Sequence, residues 1–266
     1  MRRPYAKGDA QEIIALFEDT LRELLDARDR ADALTTGIEG YFARCHRDRV
    51  RGIMKEMPVE RLREKQKGVP VKLLTEAGFA DAAALDGVPA VTLKGIRGVG
   101  PKTANSILTA MRLLKLEDVY PQLCGDLALK RDDAEDVTFV RNLYACRAAS
   151  DVLAEADSLL NRYADRLRQN IACVVRYQGT LQWLLAGSGG QADAADAYYE
   201  LCSFEEQGFI DKARELSGRL AEKAGMSTDA AWALYESAPD ALRDVLSGIG
   251  HTTCLAARDK KSGEKT

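Results

Sequence analysis

The sequence predicts an all-α protein: a compact helical unit built around one tight glycine hairpin, followed by a long antiparallel helical hairpin. Three observations predict it. Apolar residues recur at three- and four-residue steps through nearly every segment of the 266-residue chain, the period of a one-sided helix. Runs of alternating β-branched residues are absent apart from short pieces such as 69–71. Between Gly68 and Lys115, glycines and prolines punctuate a series of short periodic pieces. The boundaries read as a helical lead-in at 1–56, the hairpin unit at 57–116, the long helical hairpin at 117–250, and a disordered tail at 251–266, ending DKKSGEKT.

The elements follow in order. Ile13, Ile14, Leu16, Phe17, Leu21, Leu24 and Leu25 form one helix stripe. Ile38, Tyr41, Phe42, Val50, Ile53 and Met54 predict a second helix, which carries the basic run Arg44, Arg47, Arg49 and Arg51. Pro58 breaks it. Short helices are expected over 71–77, 80–86, 90–96 and 101–114, with Gly78 as a C-cap and Pro101 in a first turn, where its missing N–H is not needed. Residues 120–136 read as a connection. A helix over 137–149 precedes the longest candidate, 150–186, in which Leu153, Leu160, Leu167 and Val174 lie on one stripe. Gly187, Ser188, Gly189 and Gly190 read as a flexible turn before a return helix over 192–222, an antiparallel pair or coiled coil. Met226 to Asp229 restart a helix, and Pro239 opens a last one.

Composition narrows the chemistry. The net charge of −3 excludes a polycation, but the charges are unevenly spread. Residues 88–115 carry five basic side chains and no acidic one, whereas 191–245 carry twelve acidic against five basic. One part of the chain suits phosphate and another repels it. No apolar run approaches the ~20 residues of a membrane-spanning helix, and no apolar stretch follows Arg2 and Arg3, so the expected compartment is the cytoplasm. The six cysteines contain no CxxC pair and read as reduced thiols. The pairs Cys45–His46 and His251–Cys254 lack zinc-ligand spacing. No cofactor, metal site or catalytic constellation is expected: Glu205–Glu206 and Asp132–Asp133 have no third ligand at useful spacing, and two histidines without a serine elbow do not make a triad.

The segment that carries chemistry is LKGIRGVGPKTANSILTA, residues 93–110. Gly98 and Gly100 allow a tight turn and close approach of a ligand. The backbone N–H groups at the start of the following helix, with its dipole, favour an anion. Lys94, Arg97 and Lys102 add full charges, Thr103 adds a hydroxyl, and Val99 stands between the two glycines of the candidate site. Leu93 and Ile96 would pack against Ala104, Ile107 and Leu108. A P-loop fails on spacing: from Gly95 the second glycine is Gly100, but Pro101 stands in the lysine position.

On Leu93, Ile96, Gly98, Val99, Gly100, Lys102, Thr103, Ala104 and Ile107 the chain resembles the helix-hairpin-helix family. Residues 69–114 are similar to the helical N-terminal domain of RecA-like recombinases of archaea and eukaryotes, in which a degenerate first hairpin (here Leu74, Ala77, Gly78, Phe79) precedes a good second one. More loosely, the order of helical lead-in, hairpin and long helices resembles the region N-terminal to the motor in some bacterial Swi/Snf-type helicases. The resemblance implies largely sequence-independent binding to the DNA backbone by a non-catalytic module of a helicase, translocase or repair machine, with the ATPase motor as a partner or a fused domain. No motor lies in this chain.

Contacts of this kind go to phosphates and are salt-dependent. The arginine run at 44–51 would extend the phosphate track, or form a solvated helix face. Tyr198, Tyr199 and Phe204 lie among acidic residues and read as core, as do Trp183 and Trp232. The alternative function is a protein-interaction scaffold in which the long helices bind a partner and the glycine hairpin only packs.

Overall fold

A stripe of small and large apolar side chains makes α1 (Lys7–Cys45) one continuous 39-residue helix. Ala10, Phe17, Leu24, Ala27, Ala31, Ile38 and Phe42 are all nearly or wholly buried along it. The computed structural model describes residues 7–247 and 249, and the tail expected at 251–266 lies outside them. The expected second helix is divided. His46 leaves helical geometry at φ −133°, and α2 (Arg47–Lys55) starts after it.

Four short helices follow: α3 (Arg61–Lys65), α4 (Val71–Glu76), α5 (Ala82–Leu85) and α6 (Ala90–Lys94). α7 (Pro101–Leu114) runs on through a π-helical segment, Lys115–Val119, into α8 (Tyr120–Cys124). α3 packs on α7, and α2 packs on α5. Lys65 pins the π segment, with its ammonium 2.8 Å from Glu117 and 2.7 Å from Asp118 in a largely shielded cluster.

The two helices expected over 137–149 and 150–186 are one, α9 (Ala134–Arg176), 43 residues long. The expected turn at 187–190 is instead the first turn of α11 (Gly187–Glu206), and a short helix, α10 (Thr180–Leu185), occupies the bend before it. The return helix is interrupted at Gly208, φ +78°, where α12 (Phe209–Ala224) begins. The Ser227 hydroxyl accepts the Ala230 N–H and starts α13 (Thr228–Ser237), and a 3-10 turn at Pro239–Ala241 leads into the last helical residues. The described residues are all-α, and their only β-type pairing is an isolated bridge between Pro58 and Asp81.

Contacts divide the described chain into two compact units that are discontinuous in sequence. One draws on residues 7–32 and 151–224. In it the N-terminal part of α1 pairs antiparallel with the C-terminal part of α9: Arg28 bonds Asp157 at 2.6 Å, and residues 18–29 face 168–175. α11 returns along α9, with Tyr163 edge-on to Phe204, and Phe209 of α12 lies between Phe17 and Tyr163. The other unit draws on 33–150 and 225–249 and contains the whole of 57–116. Its centre is aromatic. Phe42 stacks on Tyr120 at 4.1 Å, Tyr41 stacks on Phe139 at 4.2 Å, and Phe139 meets Phe42 edge-on. Tyr198, Phe204 and Trp232 are buried as expected, whereas Trp183 is half-buried in α10.

Candidate nucleic-acid interface

The α6–α7 hairpin is built from the inside outward. Leu93, Val99, Ala104 and Ile107 are buried and hold the two helices together across the turn. Gly98 reverses the chain at φ +90°, a conformation that favours glycine, and the Val99 N–H closes the turn on the Ile96 carbonyl at 3.0 Å. Leu73 of α4 supports the turn from behind: a Cβ on Gly98 would stand 3.0 Å from its Cδ1.

The outer side is open. Gly100 is the N-cap of α7, extended at φ −84° and ψ 176°, with no side chain capping the helix and no atom within 4 Å of an added Cβ. Ala104 makes the first helical bond, to the Gly100 carbonyl at 2.9 Å. Among the described residues no protein group accepts from the N–H of Gly98, Gly100 or Thr103. Lys94, Arg97, Gly98, Gly100 and Lys102 are exposed, and Thr103 is half-exposed. α6 and the first turn of α7 carry no carboxylate. Exposed donors at a helix start, with Lys94, Arg97 and Lys102 nearby and no carboxylate on α6 or the first turn of α7, have the chemistry that favours an anion.

The first hairpin, α4–α5, also turns on a positive-φ glycine but closes with different hydrogen bonds and has a different helix start. Phe79 donates to the Leu74 carbonyl and Gly78 to the Thr75 carbonyl, around Gly78 at φ +93°. The helix it leads into is capped by a carboxylate, since Asp81 accepts the Ala84 N–H at 2.9 Å. A carboxylate therefore caps the start of α5, whereas the start of α7 has no side-chain cap. Lys72 of α4, which the sequence reading left out, is exposed beside Leu73. The signal for it is position: it precedes the residue that supports the Gly98 turn.

The arginine run is differently placed. Arg44 bonds Glu135 at 2.6 Å and Arg49 bonds Asp126 at 2.8 Å, and the Arg47 Nε donates back across the break at His46 to the Ala43 carbonyl of α1 at 3.3 Å. Arg51 is exposed. Near the run, His46 lies 3.4 Å from the Tyr41 hydroxyl, which donates to Asp136 at 2.6 Å. Burial, reinforced by the charge of Arg49, lowers the His46 pKa. Burial, with Glu135 nearby, raises that of the Cys45 thiol, which works against its reactivity.

Among the described residues no group of three or more His, Cys, Asp or Glu side chains is arranged to hold a metal ion, and no helix is long and apolar enough to cross a membrane. Comparison of the chain with protein-family models, with curated proteins and with solved structures finds no match in any of the three.

Proposed function

We propose that the protein binds the sugar–phosphate backbone of DNA through the α6–α7 hairpin, without regard to sequence and without catalysis, as an accessory module of a helicase, translocase or repair machine. One observation carries the binding part of this reading. The N–H groups of Gly98, Gly100 and Thr103 have no protein acceptor among the described residues and gather at exposed or half-exposed positions at the start of a 14-residue helix, among Lys94, Arg97 and Lys102. A phosphate there gains the helix dipole, several N–H donors and full positive charges together. The machine is proposed from the helix-hairpin-helix resemblance of residues 69–114. Its ATPase motor would be a separate or fused partner acting on DNA in the cytoplasm.

The test is duplex binding by the full chain across a salt series. A cradle that neutralises about two or three phosphates gives a log–log slope of roughly −2 to −3. Lys102→Glu combined with Arg97→Glu should abolish binding and leave the thermal melt unchanged, since both side chains are exposed. Wild-type affinity in that double variant would remove the hairpin from the function. A second reading, a protein-interaction scaffold, is favoured by a separate observation, three exposed leucines on α10.

A further inference from the structure

Sixteen consecutive residues, 177–192, carry no charge, and they include Leu181, Leu184 and Leu185. These three are 74%, 69% and 83% exposed on α10. The Gln191 side chain donates to the Trp183 carbonyl at 2.9 Å, which ties α10 to α11 and holds the leucines outward. An apolar knob of this kind on a water-facing surface calls for a partner.

The same unit also has an apolar groove. Phe17, Leu24, Leu167 and Val174 fill the core between α1 and α9. Leu21 and Leu25, with Ile171 and Val175, lie on the neighbouring flank of the same helices at four-residue spacing, and there they line an open groove of about 690 Å³. Val175 is 47% exposed and comes just before the bend into α10, so groove and knob adjoin along the chain.

The rims differ in charge. The α1 rim carries Glu18, Asp26 and Asp29 with one cation, Arg22, which pairs with Asp19, so it is acidic on balance, and the α9 rim carries Arg168. Among the described residues Arg168 pairs with the exposed Asp165 at 3.1 Å, a pairing easily exchanged. The acidic rim disfavours nucleic acid. The absence of any Lys or Arg in 177–192 disfavours an anionic membrane surface. A second copy of the chain answers every feature together: a two-fold axis sets each α1 rim against the other copy's Arg168 and offers each groove an uncharged apolar knob.

We propose that the protein forms a two-fold homodimer in which the α10 leucines of each copy seat in the α1–α9 groove of the other. Sedimentation equilibrium of the full chain tests this. At about 100 µM, well above the dissociation constants of micromolar interfaces, the expected mass is twice 29.1 kDa. Leu184→Glu with Leu185→Glu should give the single-chain mass with an unchanged circular-dichroism melt. Should that variant misfold, Val175→Glu serves the same purpose at the groove edge. A monomeric wild type overturns the proposal, and so does a dimer that survives a correctly folded variant. A monomer that binds neutral phosphatidylcholine vesicles through the leucines also overturns it, assigning them to a lipid surface.

Discussion

Leu73 and Gly98 are in contact across the two tandem hairpins: a Cβ at Gly98 would lie 3.0 Å from Leu73 Cδ1, on a backbone at φ +90°. Stability and binding therefore separate between two neighbouring glycines. Gly98→Ala forces a side chain into the left-handed region against a buttressing leucine. It should cost about 1–2 kcal/mol, read as a lower midpoint in urea denaturation.

Gly100→Asp should do the opposite. The site has room for a side chain and ordinary φ, and aspartate is a better N-cap than glycine by roughly a few tenths of a kcal/mol. The protein should melt at the same or a higher temperature. Its DNA affinity should nevertheless collapse, because the new carboxylate would cap the start of α7 as Asp81 caps the start of α5 in the first hairpin. Retained DNA binding in a folded Gly100→Asp protein would place the contact elsewhere.

Arg44 and Arg49 are each committed to a carboxylate, Glu135 and Asp126, in half-exposed pairs. Exposed pairs of this kind add little stability, and their charge is locally neutralised. Alanine at both positions should change duplex affinity less than twofold, against complete loss for the hairpin double variant. A fluorescence-anisotropy titration at one fixed salt concentration distinguishes the two patches.

The hairpin was legible because its signals are local. Pro101 in a first turn, Gly98 at a reversal and Ser227 as a cap each act within a few residues. The arginine partners were not legible, since Glu135 is 91 residues from Arg44 and Asp126 is 77 from Arg49. The length of α1 was hidden because Thr20, Ala27 and Ala31 hold core positions, and small or polar residues do not register as an apolar stripe. The glycines at 187–190 misled for a different reason. A Cβ on Gly190 would stand 3.2 Å from the Tyr177 ring and 2.9 Å from the Ala186 methyl. At Gly190 the missing side chain serves close packing within a helix, which in sequence looks the same as flexibility, whereas Gly187 and Gly189 border open space and Gly187 keeps a turn conformation at φ +63°.

Asp157 is the best-shielded carboxylate of an ion pair in its unit, 8% exposed with its oxygen 2.6 Å from Arg28 Nε. Asp157→Ala leaves the guanidinium with only Asp32 at 3.7 Å and Asp29 at 3.9 Å, both far more exposed. A loss of about 3 kcal/mol is expected, the low end for breaking a buried pair because two carboxylates remain. Asp157→Asn keeps an acceptor and should lose less. Paired urea melts of the two variants measure the difference.

His46 gives the fold a pH dependence of defined sign. Burial, aided by the positive field of Arg49 and opposed by Asp136, lowers its pKa from the ordinary 6.5. The ring is hemmed by Tyr41 and Phe42, with centroids at 5.3 and 6.0 Å. Because the folded chain holds the proton more weakly than the unfolded chain, its stability is fully present above about pH 6.5. It falls as pH drops below that toward the folded pKa. Most carboxylates begin to titrate only below about pH 5, so the interval from 6.5 to 5 isolates the imidazole. His46→Gln should flatten the melting temperature across this interval. The chain's other histidine, His251, lies outside the described residues, and His251→Gln should leave the slope intact. A slope that survives His46→Gln would assign the titration to another group.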